Sequence, residues 1–159
     1  MSRDPMERAI ELAPARHRAI LHGGGRRAEL VLALRPQPCF GPAQLDVLAD
    51  ALRGIGVAPE GMAPVGLLDE AWRAGFVPDL RCPWGRGGDR LWCQEPWAQV
   101  GRHFRFRGRD ALPGDEWVWQ PAHRMPRAAA RLVLKIDEVG IGTDAAGALA
   151  WVLGVEVWR

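Results

Sequence analysis

The sequence predicts an α+β fold, with helices first and a small β-barrel or sandwich after them, on two observations. Apolar residues recur at helical spacing between Pro42 and Gly56, at Leu45, Leu48, Leu52 and Ile55. From residue 80 onward the chain instead breaks into short apolar segments separated by Gly, Pro and Asp. With 159 residues, 48% hydrophobic and 25% charged, the chain can bury a core of its own, which excludes wholesale disorder.

The N-terminal stretch divides at Pro14. A weak helical segment is expected before it, around Met6 and Ile10, and a better one from about Pro14 to Leu21. Proline suits the first helical turn, and Gly23 to Gly25 end the helix because glycine enters left-handed conformations freely. Residues 27–34 (RAELVLAL) read as a strand that Arg35-Pro36-Gln37-Pro38 stops, since two prolines remove ladder donors. The amphipathic helix over 43–55 follows, and then a short helix over 66–74 that buries Leu67, Leu68, Ala71 and Trp72. Strands are expected at 90–95, 102–107, 116–119, 131–139 and 149–158. In the second of these, a period of two puts Phe104 and Phe106 on one face and His103, Arg105 and Arg107 on the other. That pattern suits a cationic ladder or a solvated face beside a core face. No repeat, low-complexity tract or clean boundary interrupts the chain, so a single domain over 1–159 is expected.

The basic residues are twenty Arg and one lysine, Lys135, beside eight Trp and no Tyr. This is the composition a GC-rich genome writes, so it carries no nucleic-acid role by itself. Charge is nonetheless uneven: residues 81–131 hold ten Arg against five acids, a local excess of +5 within a formal net charge of +2. No apolar run approaches the roughly 18 residues of a membrane span. The first twelve residues carry Arg3, Asp4, Glu7, Arg8 and Glu11 where a signal peptide needs an apolar core. A soluble, cytoplasmic protein without a membrane partner is expected. Cys39, Cys82 and Cys93 lack paired spacing and read as reduced thiols. His17 and His22 stand five apart, off a common helix face, and His103 and His123 are isolated, so no metal site, other cofactor or Cys-His set is expected.

Two blocks are more specific. CPWGRGGDRLWCQEPW at 82–97 and WQPAHRMPRAAARLVLKIDEV at 119–139 resemble the phage and prophage members of the ASCH-domain family. Gly88, Asp89, Arg90, Leu91, Trp92, Glu95 and Trp97 keep the first segment, and Trp119, Pro121, Met125, Pro126, Arg127, Ala129 and Arg131 keep the second. HRAILHG at 17–23 and RPQP at 35–38 agree more loosely, so the resemblance covers about half the chain and leaves 39–80 outside it as a helical insertion. It implies a PUA-like fold: a small β-barrel of about 5–6 strands, N-terminal helices packed beside it, and a cleft that binds RNA or nucleotides. Some relatives hydrolyse an acetylated cytidine nucleoside, and others are associated with ribonuclease activity, so the resemblance leaves enzyme and binder open.

The family's cleft motif, Gly-x-Lys-Thr-x-Thr-Arg-Arg, supplies a lysine whose pKa burial can lower and hydroxyls that hold its proton. Counting back from Arg35-Pro36-Gln37-Pro38 puts Arg27 at the lysine position, Ala28 and Leu30 at the threonines, and Val31 and Leu32 at the arginines. Guanidinium stays charged at every accessible pH, so neither Arg26 nor Arg27 replaces a titratable base. Lys135 sits in a late strand that the motif does not connect to the cleft. Glu95 survives as the one candidate general base, with an ion pair to a neighbouring arginine as its competing role. Asp89 suits a turn after Gly87-Gly88.

Binding keeps more of what is present. Arg26 and Arg27 beside a Gly-rich loop, Arg90, Arg105 and Arg107 on strands, and Arg124, Arg127 and Arg131 near the Met-Pro-Arg turn are candidates for a polyanion. Trp84, flanked by Pro and Gly, is the candidate for stacking on an unpaired base among the tryptophans 84, 92, 97, 117 and 119. The expectation is a non-catalytic RNA- or nucleotide-binding domain of phage or prophage type. Two alternatives are kept: amide hydrolysis on a modified cytidine nucleoside through Glu95, and an interaction module that uses the cleft or 39–80 against a host protein.

Overall fold

A computed structural model describes residues 3–107 and 118–158. In chain order these form β1 (Glu7–Glu11), α1 (Pro14–His22), β2 (Arg27–Ala33), α2 (Pro42–Gly54), α3 (Pro64–Arg73), β3 (Arg90–Gln94), β4 (Trp97–Val100), β5 (His103–Phe106), two single 3-10 turns (Ala122–Arg124 and Arg127–Ala129), β6 (Val133–Thr143) and β7 (Leu149–Val157). The architecture is α+β: a mixed five-stranded sheet in the order β1-β3-β6-β7-β2, and a separate two-stranded sheet of β4 and β5. That order has two ends, so the described strands form an open sheet where a closed barrel was expected. The β4–β5 hairpin pairs within itself and, among the described residues, reaches other strands through one bridge, Trp97 to Gln120. Among the described residues no helix is long and apolar enough to cross a membrane.

Residues group into two compact units, one of Met1–Ala28, Trp84–Asp137 and Val155–Arg159 and the other of Glu29–Pro83 and Glu138–Gly154. In the first unit β1 runs parallel to β3, with Glu7 opposite Arg90 and Glu11 opposite Gln94. The helical segment expected around Met6 and Ile10 is therefore a strand. Two apolar residues cannot offset the cost of nucleating so short a helix, whereas β3 offers a ready ladder, as in the Arg90 N–H donated to the Met6 carbonyl at 2.8 Å. β3 pairs antiparallel with β6, Arg90 opposite Lys135 and Trp92 opposite Val133. Alternation sends Leu91 and Cys93 into a core shared with Ile10, Leu134 and Ile136, all nearly or fully buried. On the other face Trp92 packs with Trp97, Phe104 and Ala130 against Phe106, Met125 and Ala129.

Asp89, just before β3, organises the loop ahead of it. Its carboxylate is almost fully buried and accepts from the Met6 and Arg86 backbone N–H groups at 3.1 and 3.2 Å, from Arg3 at 2.6 Å and from Arg8 at 3.3 Å. Burial raises its pKa, but these donors outweigh burial and hold the carboxyl below its usual value. Gly85 permits this arrangement: its φ is +119°, and a Cβ there would stand 2.6 Å from the Asp89 carboxylate. Asp89 thus shapes the turn, as its position predicts.

The second unit holds α2 and α3, whose bounds follow their punctuation: Pro42 and Pro64 open the helices, and Gly56 and Gly75, both at positive φ, follow their ends. Leu67, Leu68 and Ala71 are buried as expected, whereas Trp72 is half-buried, with its ring edge-on to Trp151 at 5.1 Å and its Nε1 donating to the Leu80 carbonyl at 2.7 Å. Asp69 accepts from the Ile141 N–H at 2.7 Å and from Arg73 at 3.0 Å, which fastens α3 to the later half of β6. The segment 39–80 is therefore packed structure within this unit.

Two strands were missed besides the expected ones. β1 is the first, and β4 is the second because Pro96 reads as the end of β3 rather than as the corner before a new strand. Of the strand expected at 116–119, residues 116 and 117 lie outside the described residues, and Val118 and Trp119 are not in a strand.

Candidate functional site

At the C-terminal end of β3 the burial pattern breaks: Gln94 and Glu95 follow the apolar residues inward and are themselves buried. A polar side chain in that position needs partners. Gln94 donates to the carbonyls of His123 and Met125 at 3.1 and 3.3 Å. Glu95 receives a two-pronged bond from Arg131, Nε to Oε2 at 3.0 Å and Nη2 to Oε1 at 2.5 Å. The guanidinium also lies 4.4 Å from the centre of the Phe106 ring, so Arg131 is held on its edge by a carboxylate and on its face by an aromatic ring.

His17 completes the cluster. It lies on α1 three residues before Ile20, and both are buried on one face of that helix. Its Nε2 stands 3.3 Å from Glu95 Oε2 but is not aligned for a hydrogen bond, and that buried nitrogen has no hydrogen-bond partner among the described residues. Burial holds the imidazole below the usual histidine pKa, Arg131 and His22 push the same way, and Glu95 opposes them only in part. The resting imidazole is neutral at pH 7.

Beside this cluster is a cavity of ≈ 160 Å³, floored by His17, Glu95 and Arg131 and walled by Leu12, Pro14 and Pro96, with the exposed Arg18 and Arg107 completing its lining. A cavity of about 150 Å³ holds one benzene ring, so this one suits a single six-membered ring. Its groups offer guanidinium donors, the remaining lone pairs of Glu95 and a neutral imidazole. No lysine lines it: Lys135 points its ammonium to within 5.9 Å of the Trp158 ring instead. The neighbouring Cys93 thiol is fully buried and pushed up to about 12 by burial and by the Glu95 charge, which makes it inert as a nucleophile.

Of the sequence candidates the cavity gathers Glu95, Arg107 and Arg131. Arg90 and Arg127 meet elsewhere, on Glu7, at 3.5 and 3.0 Å. The Arg127 hydrogen bond is the main reason that the Glu7 carboxyl lies below its usual pKa, with the charges of Arg127 and Arg90 also lowering it against burial. Arg124 lines a second, open cavity of ≈ 750 Å³ with Trp97, Gln99 and Gln120. Arg105 is half-buried on β5 opposite Ala98. Arg26 and Arg27 are exposed at the start of β2, and Trp84 is half-buried in the loop before β3; none of the three lines either cavity.

Sequence reasoning missed His17 and Arg18. The available signal was the spacing of His17 from Ile20, a polar residue on the apolar stripe of a short helix. Among the described residues no three His, Cys, Asp or Glu side chains gather as a metal site. No protein-family model, curated protein or solved structure matches the chain.

Proposed function

We propose that this chain is an ASCH-like domain with PUA-like ancestry, of phage or prophage type, that binds RNA or a nucleotide without catalysis, the base entering the cavity between α1 and the end of β3. One observation carries the reading: the cavity has the volume of a single ring, and arginines line it while its only carboxylate among the described residues is already clamped. Arg18 and Arg107 suit the phosphate of a nucleotide whose base occupies the cavity, since guanidinium forks match phosphate oxygens. Both oxygens of Glu95 are engaged by Arg131, which suits a structural role for this carboxylate.

Calorimetric titration with uridine and cytidine monophosphates across a salt series tests this. Affinity should fall as salt rises, because phosphate neutralisation releases counterions, and Arg107→Ala should weaken binding about tenfold, the worth of one charge-assisted hydrogen bond. No binding at low salt, or binding indifferent to both salt and Arg107, rejects it.

One observation favours a second reading. His17 supplies Glu95 with a neutral imidazole 3.3 Å away, a pairing suited to hydrolysis of an acetylated cytidine. Release of cytidine by the protein, abolished in Glu95→Gln, would establish that reading in place of binding alone.

A further inference from the structure

A separate group of side chains lies on the sheet face shared by β1, β3 and β6. Residues directly opposite across strands project from the same face, so the register Glu7, Arg90, Lys135 makes one row. Trp158, just past β7, is joined to this row: its backbone N–H donates to the Val133 carbonyl at 2.7 Å, the Arg90 guanidinium lies 4.8 Å from its ring centre, and the Lys135 ammonium lies 5.9 Å away. The indole is nevertheless 47% exposed, the most exposed of the tryptophans described. Arg127 reaches the row through Glu7.

Exposing an indole costs hydrophobic free energy, and two cations that could be solvated elsewhere hold this one in place. Glu7 is shared by Arg90 and Arg127, and Asp137 stands two residues along β6 from Lys135 on the same face. Glu156, two residues before Trp158 along β7, stands on this face as well, so the row with Arg127 has three cations to three carboxylates. A surface with an exposed ring and two cations directly against it suits a polymer that brings a planar base and a phosphate together, and an acidic peptide would bring the charge without the ring.

We propose that Trp158, with Arg90 and Lys135, is a contact for single-stranded nucleic acid: an unpaired base stacks on the indole, and the adjoining phosphate meets Lys135 and Arg90. The surface is distinct from the cavity beside Glu95 and does not depend on what that cavity binds. Stacking carries the affinity here, so its salt dependence is shallow, equivalent to two or so phosphates.

The test is fluorescence anisotropy of a labelled single-stranded RNA 12-mer, with a duplex of the same length as control. Trp158→Leu should weaken single-strand binding roughly 5- to 100-fold, the range that one base–aromatic stack supports. Trp158→Phe should retain most of the affinity, which separates lost stacking from lost folding, and Lys135→Gln should weaken binding by a few-fold. Duplex binding should change little. Absence of single-strand binding by the unaltered protein, or unchanged affinity in Trp158→Leu, overturns the proposal. Mononucleotide titration keeps the two sites apart: Arg107→Ala affects the mononucleotide, and Trp158→Leu leaves it intact.

Discussion

Replacing Arg131 with methionine removes the guanidinium that holds Glu95 while keeping much of its apolar stem. The side chains of Arg131 and Glu95 are only 15% and 9% exposed, so the carboxylate left behind meets water only through the cavity it lines. His17 Nε2, 3.3 Å away, is a poorly aligned and neutral imidazole that replaces the guanidinium only weakly. Breaking a buried pair from one side costs about 3–5 kcal/mol, against about 0–1 for an exposed pair. For a chain of this length that corresponds to a melting temperature roughly 6–20 °C lower. The reverse change, Glu95→Gln, should cost less, about 1–3 kcal/mol, because Arg131 keeps its contact with Phe106 and a route to solvent. Equilibrium urea unfolding followed by circular dichroism measures both, and the double variant Glu95→Gln/Arg131→Met should be more stable than the two single losses added together. A cost below about 1 kcal/mol for Arg131→Met would show that the pair is solvated and that the cavity floor is not held as described.

Protonation of His17 should make stability fall with acid. Because the folded imidazole binds its proton more weakly than the unfolded one, the unfolded chain takes up the extra proton as pH drops below about 6.5, and the loss is complete once pH passes below the folded pKa. Denaturation at pH 7 and pH 5 should show that loss, and His17→Asn should shrink it; an identical pH dependence in the variant would assign the effect to other groups. Asp89 and Glu7, also lowered, act in the same direction at more acidic pH. Gly85→Ala should destabilise by about 1–3 kcal/mol, since the new methyl meets the Asp89 carboxylate at a positive φ; an unchanged melting temperature would show that the loop relaxes freely. Thiol titration at pH 8 should modify the exposed Cys39 at once and Cys93 only on unfolding. Rapid modification of Cys93 in the native protein would contradict its burial.

The elements that could be read from residues alone were those with local punctuation. Pro14 and the glycines after His22 bracket α1, and Pro42 with its leucine stripe defines α2. β1 could not be read because its reason for being a strand lies more than eighty residues away, in the edge that β3 offers. β4 was hidden by Pro96, which ends one strand and begins another. The site was legible in part. Glu95 and Arg131 stood out from the resemblance, and an ion pair with an arginine was foreseen for Glu95, but which arginine it would meet depended on the chain returning from residue 95 to 131. Arg90, Arg127, Arg107 and Arg131 looked like one basic segment in sequence, yet they serve two different surfaces, because sheet register sends Arg90 toward Glu7 and Lys135 while Arg131 turns to Glu95.

The sequence by itself determined the ends of α1, α2 and α3 to within a residue or two, since each depends on a proline or glycine close by, but not the order of elements, because β1 precedes α1 and β2 separates α1 from α2. Tertiary structure alone decided that His17 and Glu95 share a cavity and that Trp158 stands exposed between Arg90 and Lys135. Those pairings join residues from 23 to 78 positions apart, and only the packing of α1 and the register of the sheet bring them within a few ångströms.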